Sequence, residues 1–280
     1  MPILMPEGKR FAVVLSPDFD AQSVWTGTFR STSQTNLSRG EFGALVGAPR
    51  LLETFKNAGI TTTWCVPTHT MQTFPDAVAA VVEAGHEIAA HGVYHEYVPK
   101  LEKDEERRLL ELQLELHSAL IGRTPSGYRS PALDITINTI SLLEELGFRW
   151  DSSLMGRDFD PYHPRIVTEL NRESANVFSG PSSIVELPVY WALDDFPELE
   201  SFNGSPLMQS NDAVLDRWIK TFTFGRERHP GGAMTITLHP QTIGRAHNLL
   251  MLEAFIEHVA AYDDVWFPTL TALADAWTAD

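Results

Sequence analysis

GAPRLLETFKNAGITTTWCVPTHTMQTFPDAVAAVVEAGHEIAAHGVYHE, residues 47–96, alternates between two hydrophobic periods. PRLLETFKNAG (49–59) carries apolar residues at helical spacing and ends on Gly59, a suitable helix terminus. ITTTWCV (60–66) reads as a strand. A helix follows through about 74–84, closing on Gly85, and HEIAAH (86–91) is the next strand. Strands separated by helices favour parallel pairing with crossover helices, an α/β class.

The alternation continues in both directions. FAVVLS (11–16) is a buried strand upstream. Downstream, LEKDEERRLLELQLELHSALIG (101–122) is the clearest helix, with an acidic first turn and Gly122 at its end. GYRSP (127–131), FRWDSSL (148–154), SSIVELPVY (182–190), AMTITLH (233–239) and VWF (265–267) are strand-like. Helices are expected near 136–147, 212–223, 246–261 and 269–278. Seven or so strands of this kind fit a (β/α) barrel better than an open sheet. Segments 21–46 and 155–181 lack a regular pattern and are expected to be irregular loops of one domain spanning 1–280. Loops that long in a compact domain are often lids or binding loops.

Composition narrows the function. The chain of 280 residues is long enough for one full α/β core. Its formal net charge of −16 repels phosphate backbones and anionic membranes, so nucleic acid and membrane surfaces are unexpected partners. No apolar run approaches the roughly 20 residues of a membrane helix. MPILMPEGKR has the wrong charge order for a secretory signal, so a cytoplasmic location is expected. Cys65 is the single cysteine, which excludes an internal disulfide and a thiolate cluster. In TTTWCVPT it reads as a packed core thiol.

Polar residues recur just past the strands: Asp18 and Asp20 in LSPDFD, His91 and His95 in HGVYHE, Arg129 in GYRSP and His239 in TITLHP. In a parallel barrel the chain leaves every strand on one face, where these side chains converge. Asp18 and Asp20, two apart in extended chain, point to one side. His91 and His95, four apart, share a side in a helical first turn. Two imidazoles and one of the carboxylates make a divalent-metal set with open positions. Zinc suits it, with iron(II), cobalt and nickel as alternatives. Such an ion acidifies its water and polarises a carbonyl. The other aspartate is then free as general base, kept ionised by Arg129. His239 is the general acid for a leaving nitrogen. The sum is metal-assisted hydrolysis of an amide or ester.

These motifs and the continuous run through 47–96 resemble the polysaccharide deacetylase superfamily, proteins with a NodB homology domain, over about 11–277. The resemblance implies a distorted seven-stranded (β/α) barrel. It implies Asp18 as base, Asp20, His91 and His95 as ligands, Arg129 as the residue positioning the base, and His239 as acid. It also implies a backbone N–H near Ala132 on the oxyanion. Two departures stand out. The usual adjacent aspartates are here Asp18-Phe19-Asp20-Ala21, and the fourth motif, WDSSL, has Leu154 where a tryptophan is usual. Asp151 of that motif is the expected orienter of His239.

D-F-D, HGVYHE, PVYWALDDFP (188–197) and HPQTIGR (239–245) resemble a branch with allantoinase-like, cyclic-imide-hydrolysing and peptidoglycan-deacetylase-like proteins. Members of that branch tend to be tetramers, which implies a homo-oligomer. Two substrates compete: an N-acetylated sugar, which needs an open groove, and a cyclic imide or ureide, which needs a closed pocket. A covering segment at 21–46 and aromatic walls from Trp25, Trp191 and Phe196 would favour a small substrate. Asp194 and Asp195 are candidate partners for substrate N–H groups, and Arg245 for a carboxylate or a second subunit. A metal-free binding protein on the same fold is the reading of another class.

Overall fold

The computed structural model describes residues 2–201 and 208–277. The strands are β1 (Phe11–Pro17), β2 (Thr63–Val66), β3 (Glu87–Ala90), β4 (Gly127–Tyr128), β5 (Trp150–Asp151), β6 (Val167–Glu169), β7 (Val177–Phe178), β8 (Val185–Glu186), β9 (Ala233–Leu238) and β10 (Val265–Trp266). Seven of them form a parallel ring. β9 pairs with β1, and β2, β3, β4, β5 and β8 pair in that order. Single bridges, Asp18 with Cys65 and Asp194 with Thr237, carry the two seams.

The first seam opens because β1 has two partners on one edge. β10 takes its start at Phe11 and Ala12, and Cys65 meets it only at Asp18. Between them, hydroxyls replace a ladder: Thr62 Oγ1 donates to the Leu15 carbonyl (2.7 Å) and Ser16 Oγ to the Thr63 carbonyl (3.0 Å). The chain is thus the seven-stranded barrel expected from its alternation, distorted as the resemblance implies.

Period two on β1 decides which side chains reach the site. Phe11, Val13 and Leu15 join an outer cluster with Leu51, Phe55 and Phe255 from the surrounding helices. Ala12 and Val14 join an inner cluster with Cys65, Ala89, Trp150, Val185 and Ala233 from five other strands. That cluster fills the barrel interior, and the helix Leu270–Trp277 plugs its lower end with Leu270, Leu273 and Trp277. Carried past the strand, the inward register delivers Ser16, Asp18 and Asp20 to the mouth. Phe19 turns outward onto Trp64, ring centroids 5.7 Å apart. The phenylalanine between the two aspartates is therefore a core residue and does not part them. Cys65 is fully buried, as its sequence context implied, and burial pushes its thiol far up.

Segment 21–46 is not an irregular loop. Helices Ser23–Thr26 and Gln34–Phe42 and a π-turn at Gly43–Gly47 lead directly into the helix Ala48–Ala58. Gln34–Phe42 escaped notice because it buries only Gly40 and so has no apolar stripe. Segment 155–181 is largely irregular, with one hairpin of β6 and β7. The expected terminal helix 269–278 runs Leu270–Trp277, residue 278 lying outside the described residues. Among the described residues, no helix is long and apolar enough to cross a membrane.

Candidate active site

Asp18, Asp20, His91, His95 and His239 all line one cavity of about 280 Å³ at the mouth, together with Ala132 and Trp191. The four strand ends do converge. Asp20 Oδ1 lies 3.4 Å from His91 Nε2 and 3.6 Å from His95 Nε2. Ligand atoms of these three buried residues all fall within 4.8 Å of one another.

The histidine pair does not sit in a helical turn. Residues 91–97 are irregular, and left-handed backbone at Gly92 (φ 76°) and His95 (φ 58°) folds the second imidazole back over the first. Their rings stand 5.0 Å apart at 82°. For a histidine that conformation is strained. Glu96 compensates by accepting the Val93 and Tyr94 N–H groups (both 2.9 Å), and Gln113 Oε1 accepts that of Gly92 (2.9 Å).

Second partners set both tautomers. His91 Nδ1–H donates to the Arg129 carbonyl (2.7 Å). Thr28 Oγ1 donates to the His95 carbonyl (2.8 Å), so at His95 Nδ1 (2.6 Å) the hydroxyl can only accept. With Nδ1 carrying the proton, the neutral form of each imidazole offers its Nε2 lone pair, the donor a metal requires. Against its burial, Asp18 and Asp20 raise His91, so an ion there would displace a proton. Asp20 Oδ1 and His91 Nε2 are buried and have no hydrogen-bond partner. Orphaned atoms of this type at one point fit a divalent cation. Burial opposes ionisation of Asp20, but the three imidazoles, His95 foremost, hold it well below the ordinary range. Burial pushes His95 down to about 4, keeping it neutral.

Thr28 owes its place to Gly27. A Cβ on Gly27 would lie 1.9 Å from the Tyr94 carbonyl oxygen. Gly27→Ala is therefore expected to displace the His95 loop and weaken metal affinity by about 10-fold or more, the scale seen when second partners of metal ligands are lost. Titration with a zinc indicator checks it, and an unchanged dissociation constant would refute the coupling.

Asp18 stands beside the triad, its Oδ2 3.7 Å from His91 Nε2. Arg129 Nη1 donates to Asp18 Oδ1 (2.6 Å) and to Ser16 Oγ (3.1 Å), while Nε and Nη2 bond Ser152. Arg129 is fully buried; burial works against its charge, but Asp18 more than offsets this and keeps it protonated. After Arg129 the chain makes a tight turn with Ala132 (φ 59°) and Leu133 (φ 53°) left-handed, both on the cavity wall.

His239 faces the triad from the opposite side, Nε2 3.7 Å from Asp20 Oδ2. Its Nδ1 bonds Asp195 Oδ1 (2.7 Å), and both oxygens of Asp195 accept the His239 backbone N–H (3.0 Å). Asp194 lies 3.5 Å from the same Nδ1. Burial alone would lower His239, but Asp194 and Asp195 raise it well above the ordinary imidazole range. Burial and the neighbouring Asp195 push Asp194 up to about 7, against the pull of His239.

Several expectations are corrected here. Asp151 is not the partner of His239: it lies on β5, where Ser153 Oγ donates to it (2.7 Å). Asp195 holds that place and, fully buried, does not line the cavity. Trp25 is also fully buried and off the cavity wall, stacking behind Phe29 and Phe196 with Arg39 over its face. Trp191, 55% exposed, does line the mouth, as do Phe196 and Asp194. Arg245 does not line the cavity and so is not placed for a substrate carboxylate there; its guanidinium lies 3.6 Å from the centre of the Phe42 ring. Sequence reasoning missed Thr28 and Gln241, whose Nε2 donates to Asp20 Oδ2 (3.3 Å). HPQTIGR contained the signal for the glutamine, two residues past His239. A lone threonine in a polar segment carried none.

The family model for polysaccharide deacetylase matches residues 43–150, a span that holds His91, His95 and Arg129. The peptidoglycan deacetylase of Helicobacter pylori is 32% identical over 282 residues, 95% of this chain and 96% of that protein. The peptidoglycan deacetylase-like protein FGM2 of Gibberella zeae is 34% identical, over 88% of this chain and 80% of its own. A crystal structure of a Mycobacterium smegmatis protein assigned to the polysaccharide deacetylases superposes with TM-score 0.88 at 34% identity, over 99% of this chain and 93% of that one. Puue allantoinase shares the fold at TM-score 0.79 and 23% identity, over 100% of this chain and 94% of its own. With two relatives above 30% identity over most of its length, the chain belongs to the polysaccharide deacetylase family, hydrolases of carbon–nitrogen bonds other than peptide bonds.

Proposed function

We propose that this chain is a metal-dependent deacetylase that removes acetyl from an N-acetylated sugar, with Asp20, His91 and His95 as ligands of one divalent ion, zinc by preference. The observation that carries the reading is the Asp20–His91–His95 cluster, with Asp20 Oδ1 and His91 Nε2 orphaned, flanked by Asp18 with Arg129 on one side and His239 with Asp195 on the other. A bound ion would supply an acidified water and a polarised substrate carbonyl.

The residues supply the rest. Asp18, held by Arg129, takes a proton from the attacking water. The Ala132 N–H, on its left-handed turn at the cavity wall, meets the oxygen that becomes negative. His239, cationic beside two carboxylates, gives a proton to the departing nitrogen. Trp191 at the mouth offers a ring face to a sugar. The names of the two curated relatives favour an amino sugar of peptidoglycan type as substrate. We expect a homo-oligomer.

The cavity favours a second reading. At about 280 Å³ it is at the small end for a ligand site, and Phe29, Leu133 and Phe196 make it mostly apolar. It admits an acetamido group with part of one ring, or a whole cyclic imide or ureide. Two assays separate these: acetate release from N-acetylglucosamine oligomers, and loss of ultraviolet absorbance with succinimide, hydantoin or dihydrouracil. We expect acetate release, at a rate at least tenfold above ring opening. Ring opening alone would reverse the order, and neither activity would refute the substrate assignment.

A further inference from the structure

Asp151 and Glu186 are register partners on the neighbouring strands β5 and β8, so their side chains leave the sheet on the same side. Both are fully buried. Each has one oxygen well satisfied. Glu186 Oε1 accepts the Ser153 and Leu154 N–H groups (2.9 and 2.8 Å), and Asp151 Oδ1 accepts Ser153 Oγ (2.7 Å). Each also has one oxygen, Oε2 and Oδ2, with no hydrogen-bond donor. Two buried carboxylates side by side cannot both be ionised, and a single proton between the orphaned oxygens satisfies both. The charged or titratable groups facing the pair are Tyr128 on β4, Arg129 just past its end, and Tyr162 from the segment paired with β8. Arg129 is the only cation among them.

The pair lies directly behind the turn that serves the site. Ser153 Oγ, held by Asp151, accepts the Ser130 N–H (2.9 Å). Ser152, between them in sequence, takes two arginine N–H groups, through its carbonyl (3.2 Å) and its hydroxyl (3.1 Å). The Arg129 carbonyl in turn holds His91. One short stretch, 129–132, thus sets the base, orients a metal ligand and presents the Ala132 N–H.

We propose that Asp151 and Glu186 share one proton and act as a positioning pair, placing a single negative charge behind Arg129 and fixing the 129–132 turn through Ser152 and Ser153. Its catalytic consequence rests on the roles proposed above for Arg129 and Ala132. Asp151 and Glu186 touch no reacting atom.

Infrared difference spectra of the full-length, metal-loaded protein at neutral pH test the shared proton. Wild type minus Asp151→Asn and wild type minus Glu186→Gln should each lose a protonated-carboxyl band, the same band in both. An amide at either position still bridges to the remaining carboxylate, so each single variant should lose no more than about threefold in kcat/KM. The double variant carries no charge and should lose about thirtyfold or more, beyond the product of the singles. Absence of the band, or a double variant equal to that product, would overturn the proposal. The infrared arm needs no substrate. Failure of the assigned reaction with the band present would therefore count against the proposed function and leave the pair standing.

Discussion

Asparagine at Asp195 is expected to lower kcat on an N-acetyl sugar by about 10³-fold, within the range of lost general acid catalysis. The carboxylate receives both the backbone N–H and Nδ1–H of His239, and its charge favours the imidazolium. An amide in its place can donate to Nδ1, which moves the histidine's proton to Nε2 and disfavours the cation. The fold should survive, because an amide oxygen still accepts the backbone N–H. Leaving-group dependence gives the diagnostic. An aryl acetate, whose phenoxide departs without a proton, should lose less than about tenfold in the same variant. Equal losses on both substrates would mean that Asp195 supports structure and not the acid.

Alanine at Asp20 is expected to abolish metal retention and to lower kcat/KM by about 10³-fold or more. That loss corresponds to at least about 4 kcal/mol of transition-state stabilisation. The backbone at Asp20 is anchored independently of its side chain: the carbonyl accepts the Ser23 N–H (2.9 Å), Ser23 Oγ (2.6 Å) and Thr70 Oγ1 (2.6 Å). The variant should therefore still fold, although losing a carboxylate that faces three imidazoles lowers the stability of its metal-free form. Adding zinc should raise the wild-type melting temperature through linkage and leave that of Asp20→Ala in place. Equal shifts in the two proteins would place the ion elsewhere.

The parts legible in the sequence were those written in local period. Inward Ala12 and Val14 and outward Val13 and Leu15 fix which way Asp18 and Asp20 face, whatever surrounds them. Helix Lys103–Ile121 was visible from its acidic start and Gly122. The parts that were not legible depend on backbone left-handedness or on distant segments. The H-x3-H spacing reads as a helical turn unless His95 is known to be left-handed. Asp195 lies 44 residues from His239, and the Asp194–Thr237 bridge together with the His239 backbone N–H brings its carboxylate onto the ring nitrogen. Asp151 looked like the partner because of its motif, yet β5 directs it to Glu186. Gln34–Phe42 is a helix held by a polar surface and one close glycine, a pattern with no hydrophobic signal.

Asp20, His91 and His95 are expected to hold one divalent ion in the mouth of the barrel. Elemental analysis of the chain, purified without chelators and then dialysed against zinc, tests it most directly. Close to one ion per wild-type chain is expected, and less than a tenth of that in Asp20→Ala. Wild type without an ion after that treatment, or Asp20→Ala retaining as much as wild type, would contradict it.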